Sequence, residues 1–155
     1  MSPTPVSLKG RALRLLSRRE HTRTELERKL GPLEEHEGEL KQVLDELSAK
    51  GFISEQRVIE SHLNRRSERL GATRLRQELL DKGVSASAAE LAVSGLEQSE
   101  AERARAVWAR KFKLAALEPK ERARQMRFLL ARGFSPGVAR RVVDQAKDPT
   151  AQTPA

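Results

Sequence analysis

The chain has 155 residues, of which 37% are hydrophobic, 34% charged and only 3% aromatic, with a formal net charge of +8 at pH 7. It contains no cysteine, which excludes disulfides and thiolate metal sites and fits a reducing, cytoplasmic location. No apolar run approaches the eighteen or so residues that a membrane span needs, and we expect no secretory signal at the start.

The composition, rich in Ala, Leu, Arg and Glu, favours helices and predicts an all-α fold. After a flexible arm at 1–6, Ser7 is expected to cap a helix that runs to about Arg19. Thr22 and Glu25 form a capping box, in which each side chain satisfies a free amide at the start of a second helix. The acidic residues 34–39 are expected to begin the third helix, because carboxylates stabilise the positive end of a helix dipole.

The middle of the chain predicts a helix capped by Ser54 and a second one that ends at Gly83. Beyond it, Ala89 and Val93 are expected to face inward from a further helix.

In the last third, Ser99 to Glu102 reads as another capping box before an apolar stripe that extends to Ala115. Pro119 begins the next helix, with Met126, Leu129 and Leu130 facing inward, and Ser135 caps the last one. A flexible tail is expected at 148–155.

An internal repeat organises these helices. Leu80-Asp-Lys-Gly-Val-Ser85 reappears fifty residues later as Leu130-Ala-Arg-Gly-Phe-Ser135. A fainter copy lies forty-nine residues earlier, where Leu26 and Leu30 match Leu75 and Leu79. We therefore expect three tandem three-helix repeats, at 7–50, 51–98 and 99–147, which form an elongated, curved array.

Positive charge is concentrated in the last repeat. Residues 1–50, 51–98 and 99–155 carry net charges of +1, 0 and +7. Helical wheels place cations opposite the apolar stripes of all three helices in this repeat, which predicts a partner-binding face. Its members are Arg103, Arg110, Lys113, Arg124, Arg127, Arg140 and Lys147. Phe128 lies among them and is expected either to fill the seam between repeats or to stack on a base or partner.

Other kinds of site find little support in the sequence. Each repeat contains a helix-turn-helix, but a helix that reads bases needs long polar side chains near its start, and after Ser85 the chain offers alanine, serine and Glu90. The histidines are scattered, and no nucleophile, metal or phosphate-loop motif is present, so we expect no catalytic, cofactor or metal site.

The chain resembles the RecX family, the regulators of the bacterial RecA recombinase. The resemblance lies in Gly51-Phe-Ile-Ser-Glu55, in a series of positions from Arg66 through Gly71 to Val84, and in Leu129 to Ser135. It implies a protein in the helical groove of the RecA–DNA filament that restrains ATP hydrolysis and strand exchange, and so modulates recombination, DNA repair and the SOS response. Arg66, Arg74 and Lys82 would then add shorter-range contacts from the middle repeat.

Two other classes of function stay open from the residues alone. One is a helical protein that coats DNA or RNA without sequence preference, and the other is a helical scaffold for a protein partner outside recombination. In every case we expect the protein to be a monomer. The salt dependence of binding to naked DNA, compared with binding to preformed filament, distinguishes the first of these classes from a RecA regulator.

Overall fold

The computed structural model describes residues 5–146, and every regular element in that range is helical. The described residues form nine α-helices and one 3₁₀ turn, in this order: α1 Leu8–Arg18, α2 Arg23–Leu30, the 3₁₀ turn Gly31–Leu33, α3 Glu39–Ala49, α4 Glu55–Arg66, α5 Ala72–Asp81, α6 Ala86–Ser94, α7 Glu97–Lys111, α8 Pro119–Ala131 and α9 Pro136–Gln145. This confirms the all-α fold class. None of these described helices is long and apolar enough to cross a membrane. Most of the predicted arm and all of the predicted tail at 148–155 lie outside the described residues.

The chain folds into two compact units. Among the described residues, unit 1 contains residues 5–62 together with Leu79–Ser85, and unit 2 contains Leu63–Glu78 and residues 86–146. The boundaries of three repeats at 50 and 98 stay a prediction.

Local capping begins several helices where the sequence predicts. The Ser7 and Ser135 hydroxyls accept hydrogen bonds from the amides of Gly10 and Val138. Thr22 and Glu25 form the predicted capping box at α2, with both reciprocal bonds present. Because each cap needs only residues within one turn, the sequence alone identifies these starts.

Two helix starts differ from the prediction. The α3 helix begins at Glu39, because Gly38 before it has φ 85°, and the side chain of Glu34 reaches forward to accept from the Leu40 amide at 3.1 Å. The α7 helix begins at Glu97, so Ser99 lies within its first turn and the predicted capping box is wrong.

Two apolar assignments in the last third also need correction. The α7 helix ends at Lys111 with Phe112 already extended, so the stripe does not reach Ala115 as helix. Leu130 is 40% exposed, whereas Leu129 beside it is fully buried. A helix face about 100° wide holds one of two adjacent residues more easily than both.

Each unit has its own apolar core. In unit 1, leucines of α1, α2 and α3 pack together around Ala12 and Leu44. In unit 2, the largest cluster joins α7, α8 and α9 around Trp108, Phe134 and Val142. The Trp108 indole Nε1 donates to Gln125 Oε1 at 2.9 Å, and Gln125 Nε2 donates to the Leu114 carbonyl at 3.1 Å. These bonds satisfy the buried amide and hold the loop between α7 and α8.

The same docking contact occurs in both units, fifty residues apart. The turn at Gly83, with φ 95°, lies against Thr24 near the start of α2, and the turn at Gly133, with φ 89°, lies against Arg74 near the start of α5. A Cβ on either glycine would overlap the facing residue. The internal repeat of the sequence is therefore also present in the structure, as two equivalent contacts between a glycine turn and a helix.

Backbone and side-chain bonds reinforce both dockings. In unit 1 the Thr22 hydroxyl donates to the Lys82 carbonyl, and Arg28 donates to the Asp81 carbonyl at 2.8 Å. In unit 2 the Gly71 amide donates to the Arg132 carbonyl at 2.8 Å. In both units, carbonyls at or beside the glycine turn thus accept hydrogen bonds from the facing helix and its N-terminal cap.

Candidate cationic interface

Two of the cations predicted to bind a partner are already paired in unit 2. Arg66 donates to Glu78 through Nε at 2.8 Å and through Nη2 at 3.1 Å. Arg74 Nη1 donates to the Ala131 carbonyl at 3.1 Å. Lys82, the third cation expected from the middle repeat, is half-buried in unit 1. Arg66 and Arg74 therefore offer less to an external anion than the sequence predicts, because their charges already have nearby acceptors.

Arg103 lies inward, contrary to the prediction that it faces away from the core. Its Nη1 donates to the carbonyls of Ser67 at 2.7 Å and Leu70 at 2.5 Å, and its Nη2 donates to the Leu96 carbonyl at 3.2 Å. Burial lowers the pKa of the Arg103 guanidinium, and the charge of Glu100 acts in the opposite direction. A helical wheel cannot reveal a loop that covers the polar face of a helix. The prediction that Arg103 faces solvent is wrong for this reason.

The other predicted cations of the third repeat that lie within residues 5–146 point to solvent. Four are exposed and form no ion pair with any residue of the described range: Arg110, Lys113, Arg127 and Arg140. Arg124 is also exposed and pairs with Glu121 at 3.1 Å. Lys147 lies outside the described residues. The exposed part of the predicted face is therefore carried by α7, α8, α9 and the loop after α7.

A surface cavity in unit 2 is lined by cations and apolar groups, with no carboxylate. Its volume is about 360 Å³, and its lining consists of Arg69, Val107, Arg110, Lys111, Phe128 and Arg132. The loop between α4 and α5, the last turns of α7 and the end of α8 each contribute. We call this the unit 2 cavity. Cations gathered in a concave surface raise the local concentration of anions.

Phe128 anchors one side of the unit 2 cavity. The Arg132 guanidinium lies 5.0 Å from the centroid of its ring, within the range of a cation–π contact. The ring also meets Phe112 nearly edge to face, at 5.3 Å and 87°. Phe128 is half-buried and packs against the core of its own three helices, α7 to α9. The structure thus places Phe128 beside the cations and against the apolar core of unit 2.

Unit 1 carries a second cationic cavity, which the sequence does not predict. Its volume is about 250 Å³, and it is lined by Arg11, Arg14, Leu15, Arg18, Lys29, Leu30 and Leu33. The net charge of +1 for residues 1–50 gave no sign of this cavity, because the acidic residues of that segment do not line it. This cavity has leucines where the unit 2 cavity has a phenylalanine.

Three residues of the unit 2 cavity were also missed: Arg69, Lys111 and Arg132. Lys111 follows Arg110 directly, so the basic pair at the end of α7 was an available signal. Arg69 and Arg132 gave no such signal, because only tertiary packing brings their segments together. Helical wheels treat each helix separately and cannot detect a cavity built from three segments.

His21 is a buried titratable side chain of unit 1. Its Nδ1 lies 3.0 Å from the Arg19 carbonyl, and its Nε2 lies 3.4 Å from Lys29 Nζ. Since a lysine ammonium only donates, this arrangement suits a neutral ring with its proton on Nδ1. Burial is the main cause that lowers the pKa of His21 from its ordinary value of 6.5. Within residues 5–146, no group of three or more histidine and acidic side chains is placed to hold a metal ion.

Comparison with protein families identifies two segments. Residues 9–47 match the model described as RecX, first three-helix domain, and residues 98–143 match RecX, third three-helix domain. Together the two matched segments cover more than half of the chain.

Curated relatives and solved structures agree with these matches. The chain is 49% identical to regulatory protein RecX of Leptothrix cholodnii over 89% of this chain and 88% of that one. It is 47% identical to regulatory protein RecX of Herminiimonas arsenicoxydans over 87% and 89% of the two chains. The crystal structure of RecX from Lactobacillus salivarius has a similar fold, with a TM-score of 0.76 and 23% identity over 90% and 94% of the chains.

Proposed function

Because this chain belongs to the RecX family, we propose that it regulates the RecA recombinase, chiefly as an inhibitor. It binds in the groove of the RecA–DNA filament and restrains ATP hydrolysis and strand exchange. In the cytoplasm this action modulates recombination, DNA repair and the SOS response. The observation that carries the proposal is the similarity to regulatory proteins named RecX over nearly nine tenths of the chain.

Two features of the molecule support a role in binding. The described residues form helices and short loops, and carboxylates such as Glu25, Glu78 and Glu121 are engaged in a cap or an ion pair. The exposed cations of unit 2 form a surface suited to an anionic partner, such as a filament that contains DNA.

The exposed cations of unit 2 are the contact residues of the proposal. Arg110, Arg127 and Arg140 belong to three different helices and have no ion pair within the described residues. Arg103 is not a contact residue, because its guanidinium is committed to backbone carbonyls. Lys113 and Arg124 lie beside this group and extend it.

The test is ATP turnover by RecA on single-stranded DNA, titrated with this protein. Arg110, Arg127 and Arg140 are all changed to Glu, and circular dichroism verifies that helicity is retained. We expect half-inhibition to need about tenfold more of the variant, because it cannot form three surface ion pairs that each contribute roughly 0.5 kcal/mol or more. The difference should shrink as salt rises, since salt screens exposed charges.

Two results would count against the proposal. If the wild-type protein leaves turnover unchanged at every concentration, the inhibitory function is wrong. If the folded variant inhibits as well as the wild type, the filament is bound through another surface.

A further inference from the structure

The proposed function makes no use of the cationic cavity of unit 1. The α1 helix forms this cavity together with the end of α2 and the 3₁₀ turn that follows. We call it the unit 1 cavity. Its lining consists of four cations and three leucines, without a carboxylate.

The cations of the unit 1 cavity are not neutralised by the protein itself. Arg11, Arg14, Arg18 and Lys29 form no ion pair with any residue of the described range. Four cations that repel one another around a common space favour an external anion there. The same unit pairs most of its other cations with carboxylates, namely Lys9, Arg19, Arg23, Lys41, Lys50 and Arg57.

The spacing of the arginines on α1 opposes the stability of the helix. Arg14 is three residues from Arg11 and four from Arg18, and like charges at these spacings repel each other across one helix face. The helix dipole favours Arg18 and Lys29, which lie in the last turns of α1 and α2, but not Arg11 or Arg14. A row of like charges that stabilises nothing within the fold is better explained by a ligand.

Neutral partners hold two of these cations in place. Arg11 Nε donates to the Val6 carbonyl at 3.3 Å, and Lys29 Nζ lies 3.4 Å from His21 Nε2. Neither contact cancels a charge, so both cations are positioned and still available to an anion. A site that is held in advance loses less entropy on binding.

Leucines form the apolar side of the unit 1 cavity. Leu30 is fully buried, Leu15 is half-buried and Leu33 is 45% exposed. Covering the exposed surface of Leu33 is favourable, because apolar surface is then removed from water. Leu15 and Leu30 lie further back, where a protruding side chain reaches them more easily than a flat membrane surface does.

We infer that the unit 1 cavity binds a short acidic segment of a partner protein, with leucine-like side chains of that segment against the leucines of the lining. Carboxylates pair with guanidinium groups through two parallel hydrogen bonds. From Arg11 to Arg18 the row of arginines extends about 10 Å along α1, which matches about two turns of a partner helix. This inference does not rest on the proposed action on RecA.

An acidic peptide fits these features better than a nucleic acid does. Phosphates would satisfy the cations, but unstacked bases bind to aromatic rings, and the lining contains none. A small inorganic anion would leave the apolar surface of Leu33 uncovered. A peptide supplies carboxylates and aliphatic side chains in the same segment.

A neighbouring cavity of unit 1 limits where the acidic side chains of the segment can lie. Its volume is about 290 Å³, and it shares Arg11 and Leu33 with the unit 1 cavity but is also lined by Glu35 and Glu39. These two carboxylates repel an acidic ligand. The acidic side chains of the segment therefore lie toward Arg18, at the other end of α1.

The experiment measures binding of a fluorescent twelve-residue peptide to the full chain by anisotropy. The peptide has leucines at the i, i+3, i+4 and i+7 spacing of one helix face and glutamate at its other positions. Arg14→Gln with Arg18→Gln removes two exposed cations from the unit 1 cavity. We expect about tenfold weaker binding, and a smaller difference at high salt, because salt screens exposed charges.

The matched control is Lys41→Gln with Lys50→Gln, which lowers the net charge equally at exposed positions of unit 1 outside the cavity. This control should retain wild-type affinity within about twofold, since exposed ion pairs on helices contribute little. Circular dichroism verifies that both variants keep their helicity. Equal losses in the two double variants would mean that net charge alone attracts the peptide, and no loss in either would place the peptide elsewhere. Both results overturn the inference.

Altered peptides test the chemistry of the ligand. Replacing the leucines of the peptide with alanine should weaken binding about fivefold, because less apolar surface is buried. Replacing its glutamates with glutamine should weaken binding and remove its salt dependence. Leu33→Gln should weaken binding of the original peptide but not of the alanine peptide. If either altered peptide binds as tightly as the original, the inference is wrong.

Other occupants of the cavity are distinguished in the same assay. Complete displacement of the peptide by an equal concentration of oligothymidylate, or tighter binding to phosphatidylglycerol vesicles with the same dependence on Arg14 and Arg18, would overturn the inference. So would a dimer in analytical ultracentrifugation that the Arg14→Gln, Arg18→Gln variant dissociates, because a second copy would then cover the cavity. RecA is absent throughout, so these outcomes are independent of whether the protein inhibits RecA.

Discussion

The role of a single arginine depends on what covers it. Arg103 and Arg127 look equivalent on helical wheels, yet the Arg103 guanidinium donates to three backbone carbonyls while Arg127 is exposed on α8. Hydrogen bonds from a charged donor contribute more than neutral ones, and carbonyls left without a partner reduce stability further.

Arg103→Gln should therefore lower the free energy of unfolding by about 2 kcal/mol. Arg127→Gln, which removes the same charge from an exposed site, should change it by less than about 0.5 kcal/mol. Urea unfolding followed by circular dichroism measures both. Similar values for the two variants would mean that the carbonyl contacts of Arg103 contribute nothing to stability.

Gly133 combines two constraints that can be separated experimentally. Its φ is 89°, and a Cβ at this position would overlap the backbone of Arg74. Gly51 has a similar φ of 81° but open space around a Cβ. Gly51→Ala should thus report the backbone strain alone, at about 1 kcal/mol.

Gly133→Ala should cost about 3 kcal/mol, since overpacking against a backbone adds roughly 1–3 kcal/mol to the strain. Equilibrium unfolding in urea again provides the measurement, with the two alanine variants compared directly. If their costs are equal, the close approach between Gly133 and Arg74 is absent in solution.

At the scale of elements, the sequence predicted what depends on neighbours within one or two turns. The Thr22 capping box, the Ser135 cap and the glycine turn at Gly83 all follow from such local rules. The capping box proposed at Ser99 failed because the same residue pattern also occurs inside a helix. The unit 2 cavity could not be predicted, because Arg69 and Arg132 are far apart in sequence and come together only through tertiary contacts, such as the bond between the Gly71 amide and the Arg132 carbonyl.

The start of α2 should make stability depend on pH. His21 is buried there and its pKa is lowered, first by burial and also by the charges of Arg19 and Lys29. The unfolded chain therefore binds a proton near pH 6.5, where the folded chain still does not, and stability falls as the pH decreases below 6.5 toward the lowered pKa of the folded state.

Urea unfolding at pH 7 and pH 5 tests this expectation. His21→Gln should lose less stability between these two pH values than the wild type does. Lys29→Met should shift the titration of His21 upward, because it removes one of the cations that lower the pKa, and NMR of the ring protons follows that shift. A wild-type His21 that titrates at or above 6.5 would contradict the assignment.

For the molecule as a whole, the location of charge can be tested separately from its amount. Both units carry a cationic cavity, although the sequence places +1 in residues 1–50 and +7 in residues 99–155. Long-range attraction depends on the summed charge, whereas a docked interface depends on which side chains make contact.

Changing Arg11, Arg14 and Arg18 to Glu lowers the net charge from +8 to +2, as does changing Arg110, Arg127 and Arg140. We expect the unit 2 variant to lose inhibition of RecA ATP turnover about tenfold and the unit 1 variant only two- to threefold. Both are titrated at equal salt, and their folding is verified by circular dichroism. Equal losses of inhibition would mean that net charge alone governs the interaction.

The docked glycine turns also determine the order in which the helix ends can fold during synthesis. The carbonyls that Thr22 and Arg74 bind belong to Lys82 and Ala131, which follow 60 and 57 residues later in the chain. At about 5–20 residues per second, a nascent chain waits roughly 3–12 seconds for each partner turn to be translated. The start of α2 has its own capping box during this interval, whereas the amides at the start of α5 bind the carboxylate of Glu100 and the carbonyl of Arg132. The N-terminus of α5 is therefore finished only after the ribosome has translated most of the chain, and a product that stops before Glu100 lacks both acceptors.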